Sequence, residues 1–182
     1  LVGVNFSTYG ASLAFIGLHQ LDRIVIYGFN NELVPIMPKT HGRGKALLML
    51  ESLENAALGG SSSNFNDCCK HLHVRHPKKG VVIVASDFLF PGGYEQGLKL
   101  LNWCKHEVFC IQTLDKEDLT ISARGDLNLE CVESGDNMRV TVNQAVAEEF
   151  ARAVAKYNND LQRFCARQKT GFVRTMSDAS FE

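Results

Sequence analysis

The feature that most constrains the fold is a short apolar run, Gly80–Ala85 (GVVIVA), which contains no polar side chain. A strand that is apolar on both faces has to be buried on both, as in the centre of a parallel sheet covered by helices. A second strand-like run, Glu107–Thr113 (EVFCIQT), follows a stretch with helical spacing, Tyr94–Cys104. Strands that alternate with helices predict an α/β fold with a mainly parallel central sheet.

Apolar periodicity predicts further elements on either side of this unit. The predicted helices are Ala11–Gln20, Lys45–Ala57, Phe65–Arg75 and Gln144–Lys169. The predicted strands are Arg23–Phe29, a short edge strand at Glu32–Met37, a hairpin of Asp126–Glu133 with Met138–Val142, and Phe172–Thr175. Asn143 is suited to cap the long helix, and Gly171 to follow its end. Residues 126–142 and 144–170 thus form the C-terminal part of one domain that spans 1–182.

Length and composition indicate a soluble α/β domain. The chain has 182 residues, of which 45% are hydrophobic and 21% charged, with a net charge of −1. The lack of a concentrated basic face argues against nucleic acid or an anionic membrane as a partner. No apolar run approaches the ~20 residues of a membrane span, so we expect no membrane insertion by this chain. Six cysteines without a Cys-x-x-Cys pair predict reduced thiols and a cytoplasmic location.

Two polar loops stand where such a sheet exposes its carboxyl edge. Ser61–Asn64 precedes the helix that begins at Phe65, and Asp87 comes shortly after the strand Gly80–Ala85. Ligands of open α/β folds bind in the crevice at this edge. A hydroxyl that faces a carboxylate offers oxygen ligands suited to Mg²⁺. Alternatively, Ser63 and Asp87 only cap the segments that follow them.

Other residues that could carry chemistry give weaker signals. Cys69 and His73 have the helical spacing of a zinc pair, but no second pair lies nearby in sequence. Gly42–Lys45 lacks the spacing of a phosphate-binding loop, and no Gly-x-Ser-x-Gly elbow indicates a hydrolase triad. We therefore expect an ordinary helix start near Lys45 and exposed histidines on the helix Phe65–Arg75.

Several stretches, in their order and spacing over nearly the whole chain, resemble one known family. They are Leu13–Ile24 (LAFIGLHQLDRI), Gly60–Phe65, Val81–Leu89 (VVIVASDFL), His106–Leu114 (HEVFCIQTL) with Asp115–Asp118, and Leu129–Gly135 (LECVESG). Together they are similar to the von Willebrand factor A-like "domain of unknown function 58" family.

That family carries a metal-ion-dependent adhesion site, and the resemblance extends to part of it. The family pattern is Asp-x-Ser-x-Ser on the first strand, a Thr in a second loop and an Asp in a third. Ser63 matches the Thr position with its hydroxyl kept, and Asp87 matches the third-loop Asp. The first element has no counterpart in Leu1–Ser7 (LVGVNFS). The resemblance therefore implies a partial or degenerate Mg²⁺ site at Ser63 and Asp87, facing each other near the start of the helix Ala11–Gln20, and an amino-terminal strand missing from this sequence.

The resemblance also implies a fold and a function. The fold is a three-layer sandwich with helices on both faces of the sheet. In it, Arg23–Phe29, Gly80–Ala85 and Glu107–Thr113 are neighbouring parallel strands of one sheet, and separate sheets would count against the family. The function is that of a non-enzymatic adaptor that binds a protein partner and works with a MoxR-type AAA-plus ATPase in complex assembly. The alternatives are a metal-assisted hydrolase using Asp87, for which neither loop offers a histidine base, and a purely structural module with a dead metal site.

Overall fold

The computed structural model describes residues 2–56, 64–121, 125–130 and 137–176, and these form an α/β fold. The helices are α1 (Val2–His19), α2 (Ala46–Glu54, preceded by a 3-10 turn at Arg43–Lys45), α3 (Phe65–Arg75), α4 (Glu95–Trp103), α5 (Lys116–Leu119) and α6 (Gln144–Arg167). The strands are β1 (Arg23–Phe29), β2 (Leu33–His41), β3 (Val81–Ser86), β4 (Glu107–Leu114), β5 (Gly125–Glu130), β6 (Asn137–Val142) and β7 (Gly171–Met176).

A parallel sheet of three strands, in the order β3-β4-β7, lies at the centre of the fold. Val84 of β3 lies beside Cys110 of β4, which lies beside Phe172 of β7. Because side chains alternate along a strand, this row and the row of Val82 and Val108 lie on one face. The prediction that Gly80–Ala85 and Glu107–Thr113 form neighbouring parallel strands is confirmed.

Three helices bury that face of the sheet. α3, α4 and α6 all contribute to one hydrophobic core, which contains side chains that are at least nine-tenths buried. Its members are Phe65, Cys69, Val84, Phe88, Phe90, Tyr94, Leu98, Leu101, Val108, Cys110, Leu161, Phe164 and Cys165. Gly97 lets α4 approach α3 closely, since a Cβ there would lie 2.8 Å from the Sγ of Cys69. A smaller core of Ala14, Leu18, Met37 and Met49 joins α1, α2 and β2.

The opposite face of the parallel sheet is more open at its amino-terminal end. Val81 and Ile83 are 67% and 44% exposed, and Phe109 and Val173 are 41% and 44% exposed. These side chains alternate with the buried ones, so the apolar runs do not have both faces covered here. The described residues therefore show a parallel sheet with α3, α4 and α6 on one face and an opposite face that is open at its amino-terminal end. They do not establish the three-layer sandwich that we expected.

β1 is a strand as predicted, but the prediction that it lies beside β3 in one sheet is wrong. It pairs antiparallel with β2 in a separate two-stranded sheet. The connection is a tight turn in which the Asn30 N–H donates to the Glu32 carbonyl at 3.1 Å, and the Glu32 N–H donates to Asn30 Oδ1 at 2.9 Å. The turn closes a hairpin over few residues, and this local pairing costs little loop entropy.

Two details differ from the sequence-based expectations, and one agrees with them. β2 runs to His41 although it contains Pro35 and Pro38, which a strand at the edge of a sheet tolerates. Asn143 caps α6 as predicted, with its Oδ1 accepting the Val146 N–H at 3.0 Å. The left-handed residue after α6, however, is Lys169 (φ +56) and not the glycine two positions later, which begins β7.

The second hairpin and the cysteines also follow the predictions as far as they are described. β5 and β6 pair antiparallel, while residues 131–136 between them lie outside the described residues. The cysteines whose side chains are described carry free thiols, namely Cys68, Cys69, Cys104, Cys110 and Cys165. Cys131 lies outside the described residues.

Candidate functional site

Strand β3 delivers Asp87 to the carboxyl edge of the sheet, in a tight polar turn. The Oγ of buried Ser86 accepts the Phe88 N–H at 3.1 Å and donates to Asp87 Oδ1 at 3.3 Å. Asp87 Oδ1 also accepts the Leu89 N–H at 3.0 Å. The half-buried carboxylate thus uses one oxygen to fix the turn. Its other oxygen, Oδ2, makes no hydrogen bond to any described residue.

Two side chains from neighbouring elements hold the backbone of this turn. Gln112 Nε2 donates to the Asp87 carbonyl at 3.0 Å, and the Tyr157 hydroxyl donates to the Phe88 carbonyl at 2.6 Å. Phe88 is fully buried and has a left-handed backbone (φ +64), which costs a non-glycine residue about 1–2 kcal/mol. Burial raises the pKa of Tyr157 to about 12, so its hydroxyl keeps the proton that it donates. These contacts keep Asp87 in one position.

Gln112 is the centre of a buried polar network. Its Nε2 also donates to Asn158 Oδ1 at 2.8 Å, and its Oε1 accepts the Arg174 Nε–H at 2.8 Å. Arg174 Nη2 donates to the Asn158 carbonyl at 2.6 Å. Burial lowers the pKa of Arg174 from its ordinary value, but a guanidinium still carries its charge at neutral pH. The network links β4, α6 and β7 to the Asp87 turn.

The start of α3 lies next to this turn. The Phe65 ring stacks on Phe90 with centroids 4.7 Å apart, and it lies 6.4 Å from the Phe88 ring. The Asn64 N–H donates to the Asn30 carbonyl at 3.0 Å, which ties this end of α3 to the end of β1. Ser63 lies outside the described residues, so its position opposite Asp87 stays a prediction.

The sequence predicted the position of Asp87 after β3 and gave little indication of the residues that hold its turn. The apolar strand before Asp87 marks the edge, whereas the function of Gln112, Asn158 and Arg174 depends on contacts between distant elements. One signal was present, because Gln112 is a polar residue near the carboxyl end of the strand-like run EVFCIQT. A polar side chain in such a strand needs a buried partner.

The cysteines and histidines of α3 do not gather into a metal site. Cys69 lies in the main core, whereas the His73 ring contacts the His106 ring with centroids 6.0 Å apart. Across the part of the chain with described side chains, no group of three or more His, Cys, Asp or Glu is placed to hold a metal ion. Gly42–Lys45 forms the 3-10 turn at the start of α2, where Arg43 donates to the His19 carbonyl.

His106 lies at the amino end of β4 and gives the fold a predicted sensitivity to acid. It is 6% exposed, and neither ring nitrogen has a hydrogen-bond partner among the described residues. Burial lowers its pKa below the ordinary 6.5, and the nearby His73 and His76 lower it further, against an opposing contribution from the Gly80 backbone. Below pH 6.5, His106 is therefore protonated more readily in the unfolded chain than in the folded one. The free energy of unfolding should not depend on this group above pH 6.5. It should decrease as the pH falls below 6.5, by at most about 1.4 kcal/mol per pH unit.

Urea unfolding at neutral pH and at about pH 5.5 tests this effect. The variant His106→Phe loses no described hydrogen bond and should show a smaller loss of stability between the two pH values. The matched control His71→Phe replaces an exposed histidine of α3 and should behave like the parent chain. A parent-like pH dependence in His106→Phe would show that other groups cause the acid sensitivity.

With its parallel sheet and its polar carboxyl edge, the chain has an α/β fold of the kind that places ligands at strand ends. Its sequence matches the family described as "Protein of unknown function DUF58" over residues 5–160. The chain therefore belongs to this family, as the resemblance predicted. The separate β1–β2 sheet does not remove the assignment, because the match is one of sequence over most of the chain.

The relatives are themselves uncharacterized. Over 86 residues, 47% of this chain, it is 33% identical to an uncharacterized protein of Mycobacterium tuberculosis, of which the match covers 27%. Over a stretch of the same length it is 30% identical to an uncharacterized protein of Mycobacterium avium, of which the match covers 50%. The chain thus spans about a quarter to a half of the length of these curated relatives.

Two solved structures share the fold. They are the conserved hypothetical protein BatB from Bacteroides thetaiotaomicron and an aerotolerance-related membrane protein from Bacteroides fragilis. Each superposes on this chain with a TM-score of 0.52 at 13% sequence identity. The superposition covers 80% of each solved chain, and 93% and 91% of this chain, respectively. Within the described residues of this chain, no helix is both long enough and apolar enough to span a membrane.

Proposed function

We propose that this chain is a non-enzymatic protein-interaction module that binds its partner through the carboxyl edge of the sheet, at Asp87. The observation that carries the proposal is the clamping of the Asp87 turn by Gln112 and Tyr157. A carboxylate fixed in place, with Oδ2 free of hydrogen bonds to described residues, suits a metal ion that in turn accepts a carboxylate from a partner. Such a metal-bridged contact is strong and depends on orientation, and it requires no catalysed reaction.

The proposed site is a metal-ion-dependent adhesion site that is partial in this chain. Asp87 supplies a carboxylate, and Ser63, by resemblance, supplies a hydroxyl. The contact of Phe65 with Phe88 supports this pairing, because each ring lies close in sequence to one of the two ligands. Mg²⁺ keeps several waters but needs more charge than these two groups offer. The chain as given should therefore hold Mg²⁺ weakly or not at all.

We also propose that the complete domain is a three-layer sandwich of the von Willebrand A type, with an upstream strand between β1 and β3. Both strands have a free edge in the described sheets, since β1 pairs only with β2 and β3 only with β4. Helix α1 packs against both β1 and β3, which keeps their unpaired sides near each other. A strand between them would carry the Asp-x-Ser-x-Ser element to the carboxyl end of the sheet, where Asp87 lies.

Calorimetric titration with Mg²⁺ tests the site in two forms of the protein. The 182-residue chain should show weak or undetectable binding, and a form extended upstream by an Asp-x-Ser-x-Ser segment should bind. In the extended form, Asp87→Asn should abolish binding. The matched control Asp22→Asn, an exposed acid just before β1, should leave binding unchanged.

Each other outcome favours a different function. Tight Mg²⁺ binding by the 182-residue chain, lost in Asp87→Asn, would show that the missing ligands are not needed. Equal absence of binding in both forms would favour a structural module in which Asp87 only caps its turn. Mg²⁺-dependent hydrolysis of an ester or phosphate substrate, lost in Asp87→Asn, would favour a hydrolase.

By the family resemblance, we propose a MoxR-type AAA-plus ATPase as the protein that this domain works with, in the cytoplasm. The free thiols of the described cysteines support the proposed location, since they suit a reducing compartment. The purified ATPase should bind the extended form in Mg²⁺ and release it when the metal is chelated. Binding that is indifferent to chelation would assign the contact to another surface.

A further inference from the structure

A groove follows α4 and the end of α6, away from the Asp87 turn. It consists of two adjoining cavities of about 480 and about 660 Å³, which share Asn102 and Gln168 as lining residues. The first cavity opens at the amino ends of β3 and β4, and the second along the outer side of α4. Along β3, Asp87 follows the lining residue Val81 by six residues, or about 20 Å at 3.3 Å per residue. We refer to the two cavities together as the α4 groove.

The α4 groove exposes apolar side chains that have no described cover. Trp103, the one tryptophan in the chain, is 80% exposed at the end of α4. Leu100 lies one turn earlier on the same side, and Val81 and Phe109 line the other cavity. A tryptophan buries about 150–250 Å² when covered, and tryptophan is enriched among the residues that dominate binding energy at protein interfaces.

The charged residues of the groove are mostly cations. Lys99 and Lys169 line it, against Glu107 as the lining acid. Lys105 and Arg167, both exposed, follow Trp103 and precede Gln168 in the chain and add to the positive side. Neither Lys99 nor Lys169 has an ion-pair partner among the described residues, although Lys99 Nζ lies 5.9 Å from the centre of the Phe164 ring.

We propose that the α4 groove binds an acidic segment of a partner protein. A bulky apolar side chain of that segment packs on Trp103 and Leu100, and its carboxylates face Lys99 and Lys169. The amides of Asn102 and Gln168 offer donors and acceptors to its backbone. This proposal is independent of the Asp87 site, which lies at the opposite edge of the sheet.

Two other occupants fit the same surface less well. A second copy of the chain, docked face to face, would bring Lys99 and Lys169 of one protomer against those of the other, and like charges at a contact are unfavourable. An anionic membrane suits a continuous apolar and basic surface, whereas this surface contains Glu107 and two amides. The acidic segment matches the charge and offers partners to the amides.

The single tryptophan makes binding directly observable. The probe is a short synthetic peptide rich in glutamate and leucine, and its control is the same peptide with lysine in place of each glutamate. Adding the acidic peptide to the 182-residue protein should shift the Trp103 emission to shorter wavelengths, because the indole leaves water. The lysine peptide should bind at least about tenfold more weakly, through repulsion by the groove.

Variants locate the site by fluorescence anisotropy of a labelled acidic peptide. Trp103→Ala should weaken binding about tenfold or more, as expected of a central aromatic contact. The double variant Lys99→Glu with Lys169→Glu should weaken it further and should favour the lysine peptide. The control Lys156→Glu changes an exposed lysine about three turns earlier on α6, and Asp87→Asn changes the other edge. Both should bind like the parent.

Three results would overturn the proposal. The first is equal binding of both peptides, or binding of neither. The second is an emission shift with phosphatidylglycerol vesicles and not with the acidic peptide, which would assign the groove to a membrane surface. The third is concentration-dependent self-association that Trp103→Ala abolishes, which would assign it to a second copy. Loss of Mg²⁺ binding in the extended form leaves this test unaffected, so the two proposals fail separately.

Discussion

Replacing Gln112 with leucine is expected to lower the free energy of unfolding by about 3–5 kcal/mol. The side chain is fully buried and takes part in three hydrogen bonds, with the Asp87 carbonyl, Asn158 and Arg174. Leucine has a similar volume, so the loss comes from the partners that it leaves unpaired and not from a cavity. An unsatisfied buried group costs about 1–3 kcal/mol, and Arg174 is charged and partly buried.

Urea unfolding followed by circular dichroism measures this loss. The neighbouring residue gives a matched control, because Thr113 is 1% exposed and its hydroxyl has no partner among the described residues. Thr113→Val removes that buried hydroxyl and should leave stability unchanged or raise it slightly. The Leu89 amide, which bonds to Asp87, should also exchange faster with solvent in Gln112→Leu. A loss of less than about 1 kcal/mol would mean that the network does not hold the turn.

Local patterns in the sequence predicted most of the elements. The run at β3 indicated a strand because its apolar side chains have no polar alternation, although β3 lies at the edge of the described sheet and β4 at its centre. Asn143 indicated a helix start because its side chain can accept a free helix N–H. Both signals depend on residues close together in the chain. The pairing of β1 with β2 was missed, because nothing within β1 itself says which edge it meets.

The candidate site shows the same contrast between local signals, which can be predicted, and contacts between distant elements, which cannot. The position of Asp87 could be predicted, because it follows an apolar strand that ends at the ligand-binding end of the sheet. Its role as a metal ligand stays a prediction. The polar network behind the Asp87 turn could not be predicted, because Gln112, Asn158 and Arg174 come from three elements that are distant in sequence. Likewise Gly171 was expected to follow the end of the long helix as its capping glycine. It begins β7 instead, where a Cβ would clash with the Phe109 ring.

Phe65→Ala is expected to destabilise the fold by about 3–5 kcal/mol, the usual cost of emptying a buried aromatic site. Phe65 is 3% exposed and contacts Phe29, Phe88 and Phe90, with ring centroids 5.8, 6.4 and 4.7 Å away. It therefore joins the separate β1–β2 sheet to the loop that follows Asp87. Its loss removes packing from both sides at once.

The joint role of Phe65 predicts more than a loss of stability. Phe65→Leu refills much of the volume and should recover at least half of the free energy, whereas Val74→Ala, at a 77% exposed position of the same helix, should change it by less than about 0.5 kcal/mol. Because Phe88 loses a ring contact, the Leu89 amide should exchange faster in Phe65→Ala even where the chain stays folded. Normal exchange at Leu89 beside a full loss of stability would separate the core from the Asp87 turn. It would leave Gln112 and Tyr157 as sufficient to hold that turn.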